Sequence, residues 1–145
     1  LRNYVGEDNF RKGIRNYYKK YYNSTTTTNQ FKTEMEVVSG MNLDTFFDQW
    51  LYKGGNMVLD GNWKFDEKKG RIEVNLNQVQ NDGYLFEMPV ELGISYNDKN
   101  LEKIQTVKLE KEKGRFYIAS DSKPISIKID PNTKLLAIWD FNEIK

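Results

Sequence analysis

The side chains that most often carry out hydrolysis at neutral pH are missing from this sequence. Its 145 residues include no His and no Cys. Histidine is the usual general base and the commonest ligand of catalytic zinc, and a thiolate is the nucleophile of cysteine hydrolases. The sequence therefore cannot form a Ser-His-Asp triad, a Cys-His pair, a His-ligated zinc site or a disulfide. We predict no catalytic residue and no metal ligand in it.

Carboxylates are the remaining candidates for acid–base chemistry, and a glycoside hydrolase needs two of them converging in one cleft. The 21 Asp and Glu residues are interspersed with 22 Lys and Arg residues, giving a net charge of +1. This pattern is typical of solvated surface charges, and it argues against nucleic-acid binding, which requires clustered cations. No apolar run approaches the ~20 residues of a membrane span. We therefore expect neither nucleic acid nor membrane as a partner.

Residues 17–22, Tyr-Tyr-Lys-Lys-Tyr-Tyr, combine aromatic and basic side chains as proteins that bind single-stranded nucleic acid do. At helical spacing, however, aromatic stripes usually belong to the core. We predict that Tyr17, Tyr18 and Tyr21 face the core and that the two lysines face water.

Two loops could also suggest ligands. Residues 53–56, Lys-Gly-Gly-Asn, resemble a phosphate cradle in having two glycines, but they lack the strand before and the helix after that such a cradle requires. Residues 130–132, Asp-Pro-Asn, match no calcium-binding EF-hand spacing. We interpret the first as an interdomain joint and the second as a β-turn.

The period of the apolar residues changes along the chain. They recur at helical spacing up to Tyr52 and alternate at strand spacing from Met57 onward. We predict an α+β protein with a helical domain over residues 1–55 and an antiparallel, immunoglobulin-like β-sandwich domain over residues 56–145.

Glycines and capping residues divide the helical part. We expect Gly6 to end a first turn in the left-handed conformation, Thr27 and Gln30 to form a capping box, and Asn42 to cap a last helix. The apolar stripes predicted for the three longer helices are Phe10, Ile14, Tyr17, Tyr18 and Tyr21 within residues 7–22, then Phe31, Met35 and Val38, then Leu43, Phe46, Phe47, Trp50 and Leu51. Three short helices cannot cover so much aromatic surface among themselves, so it packs against either the following sheet or another domain.

Seven strands are predicted in the second part, separated by turns at residues 67–70, 81–83, 97–100 and 130–133. They are Met57–Phe65, Arg71–Gln80, Tyr84–Tyr96, Leu101–Glu110, Arg115–Ala119, Ile125–Ile129 and Leu135–Phe141. Pro89 has no N–H for a strand ladder, so it must lie at an edge or a bulge.

Several strings then resemble the aminopeptidase N family of zinc metallopeptidases over almost the whole chain. The segment from Leu1 to Phe10, the Tyr-Lys-Lys-Tyr of residues 18–21 and the Phe-Phe-Asp-Gln-Trp-Leu-Tyr of residues 46–52 are similar to the end of the family's catalytic domain. Residues 86–92 and 129–136 resemble the β-sandwich that follows it. The family's Pro-Gly-x-Pro loop is replaced by Gly-Gly-Asn-Met at residues 54–57.

The resemblance implies a larger parent protein whose zinc is held by His-Glu-x-x-His and a second Glu, with the first Glu as general base and a Tyr stabilising the tetrahedral intermediate. None of these residues can be placed in this chain. The resemblance therefore implies a non-catalytic fragment that packs against the remaining catalytic and N-terminal domains of the parent, meets peptide substrate only through the parent, and self-associates when isolated.

Three other functions stay open at this point. The chain could be an immunoglobulin-like module with a helical cap that binds protein or carbohydrate, which exposed Trp63 and Trp139 would favour. It could be a structural spacer in a cell-surface assembly. It could also be a carboxylate-based hydrolase, for which two acids would lie ~5–10 Å apart in a cleft.

Overall fold

The computed structural model describes residues 1–81, 83–96 and 102–144, and the chain divides into two compact units, Leu1–Gly54 and Gly55–Lys145. The first unit is helical and the second consists of strands, which makes the fold class α+β. The helical unit contains α1 (Arg2–Val5), α2 (Glu7–Lys20), α3 (Thr28–Ser39), α4 (Asp44–Phe47) and a π-helical turn (Asp48–Tyr52). The strand unit contains β1 (Met57–Asp66), β2 (Arg71–Gln78), β3 (Met88–Ser95), β4 (Glu102–Leu109), β5 (Lys113–Ala119), β6 (Ser126–Ile129) and β7 (Ala137–Glu143).

The core of the helical unit is small. Its fully buried apolar side chains are those of Val5, Met35, Leu43 and Phe47, and half-buried side chains surround them: Leu1, Tyr4, Phe10, Phe31 and Phe46. α2 and α3 approach closely at Gly13, where an added Cβ would lie 2.5 Å from the Met35 sulfur. The absence of a side chain at Gly13 therefore lets Met35 fill the space between the two helices.

Local capping signals in this unit are largely confirmed. The Thr27 hydroxyl accepts from the Gln30 backbone N–H, and the Gln30 side chain accepts from the Thr27 N–H, so the capping box is present. Gly40 ends α3 in the left-handed conformation, at φ 68° and ψ 12°. The Asn42 side-chain oxygen accepts from the Asp44 N–H at the start of α4. Gly6 ends the first turn, but the prediction that it is left-handed is wrong. At φ 86° and ψ 152° it adopts an extended conformation that essentially only glycine can adopt, and α2 begins at the next residue.

The predicted apolar stripes of two helices need correction. α2 ends at Lys20 rather than Tyr22, and its inward face is centred on Phe10, Gly13 and Tyr17. Ile14 and Tyr18, each one position further round the helix, are consequently exposed, as is Leu51 after α4. The π-helical turn moves Leu51 away from the face that an uninterrupted α-helix would give it.

The strand unit is a sandwich of two sheets. One sheet has the strand order β5-β2-β1-β7 and the other the order β4-β3-β6. Alternate residues of β1, β2 and β3 and the end of β4 point inward, and Phe86 joins them from the segment before β3. The fully buried side chains of the sandwich are Met57, Leu59, Ile72, Val74, Leu76, Phe86, Val90, Leu92, Ile94 and Leu109. All seven predicted strands exist, with ends shifted by up to four residues.

The four-stranded sheet is mixed rather than wholly antiparallel, because β7 lies parallel to β1, with Met57 opposite Ala137, whereas the three-stranded sheet is antiparallel as predicted. Parallel neighbours require a long connection, and here the rest of the sandwich separates the two strands. Pro89 lies in β3, the central strand of its sheet, but β6 pairs with β3 only over Leu92–Ser95. Among the described residues, Pro89 therefore has no paired strand on the β6 side of β3. It lies at an edge there, as its missing N–H requires.

Two further sequence predictions can be compared with the structure. The strand predicted over Tyr84–Tyr96 begins only at Met88, although Phe86 is buried. The strand predicted from Ile125 begins at Ser126, and Ile125 is exposed. The turn at residues 97–100 lies outside the described residues, as do Asp82 and Leu101. Among the described residues, none of the helices has the length and apolar composition that a bilayer span demands.

Candidate functional site

The acids of the described chain do not gather into a metal site. Residues 1–81, 83–96 and 102–144 contain no group of three or more His, Cys, Asp or Glu residues placed to bind one ion. Since the sequence has neither imidazole nor thiol, the side chains present do not fit the catalytic zinc that the family resemblance implies. No hydrolytic step can be assigned to them.

The Tyr and Lys residues of positions 17–22 separate into two groups. Tyr17 and Tyr21 are half-buried, and the Tyr17 ring packs edge-on against Phe31 with centroids 5.2 Å apart. Tyr18 and Tyr22 are instead 64% and 61% exposed. The prediction that this cluster belongs to the core is therefore correct for Tyr17 and Tyr21 and wrong for Tyr18.

Lys20 is exposed, as predicted, and it also forms an interhelical ion pair. Its ammonium lies 2.5 Å from a carboxylate oxygen of Glu34, which is buried in α3. The hydrogen bond to Glu34 and the attraction of that carboxylate raise the pKa of Lys20 above its ordinary value. A buried carboxylate needs such a partner, so Lys20 stabilises the packing of α2 on α3.

The Phe-Phe-Asp-Gln-Trp-Leu-Tyr string spans α4 and the π-helical turn. Phe47 packs in the helical core, while Leu51 and Tyr52 are 57% and 63% exposed. The Lys53 N–H donates to the Asp48 carbonyl oxygen at 2.9 Å, and the Lys53 ammonium pairs with the Asp48 carboxylate at 2.7 Å. These contacts close the wide turn, which the sequence pattern did not predict.

The Asp-Pro-Asn loop is a turn built around a buried acid. Asp130 is 5% exposed, and its two carboxylate oxygens accept the backbone N–H groups of Lys134 and Leu135, each at 2.8 Å. Glu91 of β3 accepts from the side chains of Asn132 and Lys134. Hydrogen bonding by these two residues, chiefly Lys134, lowers the pKa of Glu91. The oxygens that calcium would need are thus occupied within the protein.

A buried amide that sequence reasoning missed holds the segment after β2. Gln78 is 4% exposed; its Nε2 donates to the Phe86 and Lys111 carbonyl oxygens, and its Oε1 accepts from the Phe86 N–H. The Gln78 side chain thus pairs both the backbone N–H and the backbone C=O of Phe86. Phe86 can therefore be buried without lying in a strand. Its inward position in an alternating strand was the available signal.

A shallow cavity of about 280 Å³ lies between β6 and β7, lined by Ile127, Lys128, Ile129, Trp139 and Phe141. It contains no acidic side chain, so it gives no support to a carboxylate-based hydrolase. Trp63 is 3% exposed and belongs to the core, whereas Trp139 is 39% exposed. The two tryptophans therefore do not form one exposed platform.

Comparison with known proteins identifies the source of these features. A model of the peptidase family M1 domain matches residues 1–50. "Probable aminopeptidase 2" of Sulfurisphaera tokodaii is 30% identical over 127 residues, which are 88% of this chain. The chain belongs to the peptidase M1 family. It resembles the C-terminal part of an M1-family aminopeptidase and spans 16% of that relative's length.

A solved structure agrees with this M1 assignment in fold. Aminopeptidase A of Legionella pneumophila, crystallised with aspartic acid, superposes with a TM-score of 0.78 over 94% of this chain and 16% of its own, at 14% identity. The M1 chain is also 32% identical over 60 residues to transcription initiation factor TFIID subunit 2 of Saccharomyces cerevisiae, a match that covers 41% of this chain and 4% of that protein.

Proposed function

We propose that this M1 chain is a non-catalytic C-terminal part of a zinc-dependent aminopeptidase, and that it supports the catalytic domain without contributing a group to the reaction. The parent would remove N-terminal residues from peptides with a zinc-activated water. The observation that carries the proposal is an M1 match over residues 1–50 in a chain without imidazole or thiol.

The two units support this role in different ways. The helical unit exposes large apolar side chains such as Val37, at 71%, and Tyr52, at 63%, which is typical of a surface that packs against other protein. The sandwich has its own buried core, and the buried side chains of Gln78 and Asp130 fix two of its connecting segments by hydrogen bonds to the backbone. A rigid sandwich joined to an incompletely covered helical unit suits a scaffold better than an active site.

The proposal predicts the properties of the purified chain. We expect it to retain no stoichiometric zinc, to leave aminoacyl p-nitroanilides uncleaved, and to self-associate in light-scattering measurements. Elemental analysis and a chromogenic assay test the first two expectations. Stoichiometric zinc together with anilide cleavage by this chain alone would overturn the proposal.

The parent provides the positive test. Coding sequence upstream of Leu1 is expected to encode His-Glu-x-x-His, and the longer protein is expected to cleave the same anilides. In it, Phe47→Ala should lower thermal stability and activity together, since Phe47 is a core residue of the helical unit. Tyr117→Ser is the matched control, because that ring is 51% exposed on β5 and contacts the Arg71 guanidinium rather than the core, so its loss should cost less stability than Phe47→Ala and leave activity unchanged.

The TFIID match supports a second candidate, an M1-type scaffold in a non-enzymatic assembly. The half-exposed Trp139 beside the β6–β7 cavity is the feature that would serve a binding module. The longer protein distinguishes the two: an upstream segment of M1 type without the zinc-binding motif, and without anilide cleavage, would favour this candidate.

A further inference from the structure

α2 has a second apolar face that the helical unit does not cover. Ile14 and Tyr18 are four residues apart in α2 and therefore lie along one side of it. Tyr22, in the turn just after α2 ends, continues this line through its ring contact with Tyr18. The exposed fractions of the three side chains are 40%, 64% and 61%. We call these three residues the outer stripe, and it is distinct from the inward face formed by Phe10, Gly13 and Tyr17.

The two tyrosines of the outer stripe form one ridge. Their rings meet edge to face, with centroids 5.4 Å apart and planes at 66°. A pair in this geometry holds its members in place, which lowers the entropy lost when a partner packs against them. Aromatic side chains fixed in this way are typical of the residues that dominate protein–protein interfaces.

Cations without acidic partners border the outer stripe. Lys12, Arg15 and Lys19 are exposed, and among the described residues none of them is within salt-bridge distance of a carboxylate. Two acids, Glu7 and Asp8, lie in the first turn of α2. Glu7 pairs with both Arg2 and Arg11, and Asp8 precedes Arg15 by about two helical turns. The surface around Tyr18 and the C-terminal half of α2 is therefore positive, although the whole chain carries a net charge of only +1.

We infer that the outer stripe is a docking surface for an acidic amphipathic helix of a partner. A helix presents apolar residues every three to four positions, so one row of its side chains can pack along Ile14, Tyr18 and Tyr22. Asp or Glu residues flanking that ridge would meet Arg15 and Lys19 and supply the missing countercharge. The inference rests on the proposed function, in which the remaining part of the parent provides the helix.

Two other occupants fit the surface less well. A second copy placed stripe against stripe would bring Arg15 and Lys19 of one chain against the same cations of the other, which is repulsive. Single-stranded nucleic acid would stack its bases on flat, open aromatic faces. The edge-to-face contact between Tyr18 and Tyr22 covers part of one ring with the other.

Fluorescence anisotropy with the full 145-residue chain tests the inference. The probe is a labelled, stapled helical peptide of about 20 residues, with Leu along one face and Glu on both flanks. We expect saturable binding that weakens as salt increases. Tyr18→Ser and the double variant Arg15→Glu/Lys19→Glu should each weaken binding about tenfold or more, because each removes one part of the complementary surface.

Matched controls separate the stripe from general effects. Tyr117→Ser and Lys103→Glu/Lys113→Glu alter an exposed ring and two exposed cations in the sandwich unit and should leave binding unchanged. The inference is wrong if the Glu peptide does not bind, if a peptide with Lys in place of Glu binds equally well, or if a labelled oligothymidine binds instead. A concentration-dependent dimer abolished by Tyr18→Ser would also overturn it. Any of these results would leave the zinc and activity tests of the proposed function unaffected.

Discussion

The two units bury their apolar residues to very different extents. In the sandwich, inward side chains of both sheets form one continuous core, and most of the fully buried residues of the described chain lie there. The helical unit buries Val5, Met35, Leu43 and Phe47 and leaves large side chains such as Tyr18, Val37 and Tyr52 exposed. Burial of apolar surface is the main stabilising contribution to folding. The sandwich should therefore be stable by itself, and the helical unit should depend on neighbouring protein.

The largest expected difference concerns core truncation. Leu92→Ala in β3 should cost ~4 kcal/mol, because close-packed strands on both sides cannot collapse into the cavity. Met35→Ala in α3 should cost ~2 kcal/mol, since its half-buried neighbours Phe10 and Phe31 have room to move. Both side chains are 0% exposed in the native protein, so their burial is matched. Hydrogen exchange followed peptide by peptide measures the opening free energy of each unit.

The expected difference in stability between the two units can be contradicted by the same measurement. Wild-type amides of the helical unit should exchange through local opening at a lower free energy than amides of β1, β2 and β3. Equal opening free energies in both units, with equal losses for the two variants, would show that the helical unit is as well covered as the sandwich.

Two buried glycines make a second comparison. A Cβ at Gly61 in β1 would lie 2.7 Å from the Asn75 carbonyl oxygen, whereas a Cβ at Gly13 would meet the end of the flexible Met35 side chain at 2.5 Å. Gly61→Ala should therefore cost about 2 kcal/mol through backbone displacement. At Gly13, Ala has a helix propensity ~1 kcal/mol more favourable than Gly, which offsets the cost of displacing the Met35 side chain. Gly13→Ala should therefore cost less stability than Gly61→Ala. Urea unfolding measures both, and a larger loss at Gly13 than at Gly61 would contradict this account.

Two turn residues that accept backbone N–H groups give a third comparison. Asp130→Asn keeps a side chain that tolerates φ 50° but removes one of two buried acceptors, so we expect a loss of ~2 kcal/mol. Thr27→Ala removes an exposed cap of α3 and should cost ~1 kcal/mol. Thermal melting of the two variants orders the effects. Equal losses would mean that burial does not strengthen the Asp130 contacts.

The features predicted correctly from the sequence are local. The capping box of Thr27 and Gln30 depends on residues three apart, Gly40 ends the helix that precedes it, and the strands follow from alternation within single segments. Each of these is determined by backbone geometry over a few residues, which explains why sequence reading recovered them.

The features that were missed depend on contacts distant in sequence. Tyr18 and Tyr17 are adjacent on one helix, and which of them faces inward is decided by Phe31 and Met35 of α3. The parallel pairing of β7 with β1 joins residues about eighty positions apart, such as Met57 and Ala137. No local pattern encodes these choices. The outward position of Tyr18, which places it in the outer stripe, is set by these contacts.

The smallest expected effects are electrostatic, and one ion pair in each unit is taken as the example. The pKa of Glu91 in the sandwich is lowered by Lys134, so its contribution to stability is present above the unfolded value near 4.5 and is lost as pH falls through the lower folded value. The pKa of Lys20 is raised by Glu34, so its contribution is present below the unfolded value near 10.5 and is lost as pH rises through the higher folded value. The contribution of the Glu91–Lys134 pair should therefore be lost in acid and that of the Lys20–Glu34 pair in alkali.

Probes specific to each unit can separate the loss of stability in acid from the loss in alkali. Far-UV circular dichroism follows the helices, and the near-UV signal of buried Trp63 follows the sandwich. Glu91→Gln should weaken the dependence of stability on pH in acid for the sandwich alone. Lys20→Gln should weaken the dependence in alkali for the helical unit alone. If Lys20→Gln instead shifted the Trp63 transition in alkali, the ion pair between α2 and α3 would be stabilising both units. The sandwich could then no longer be regarded as stable independently of the helical unit.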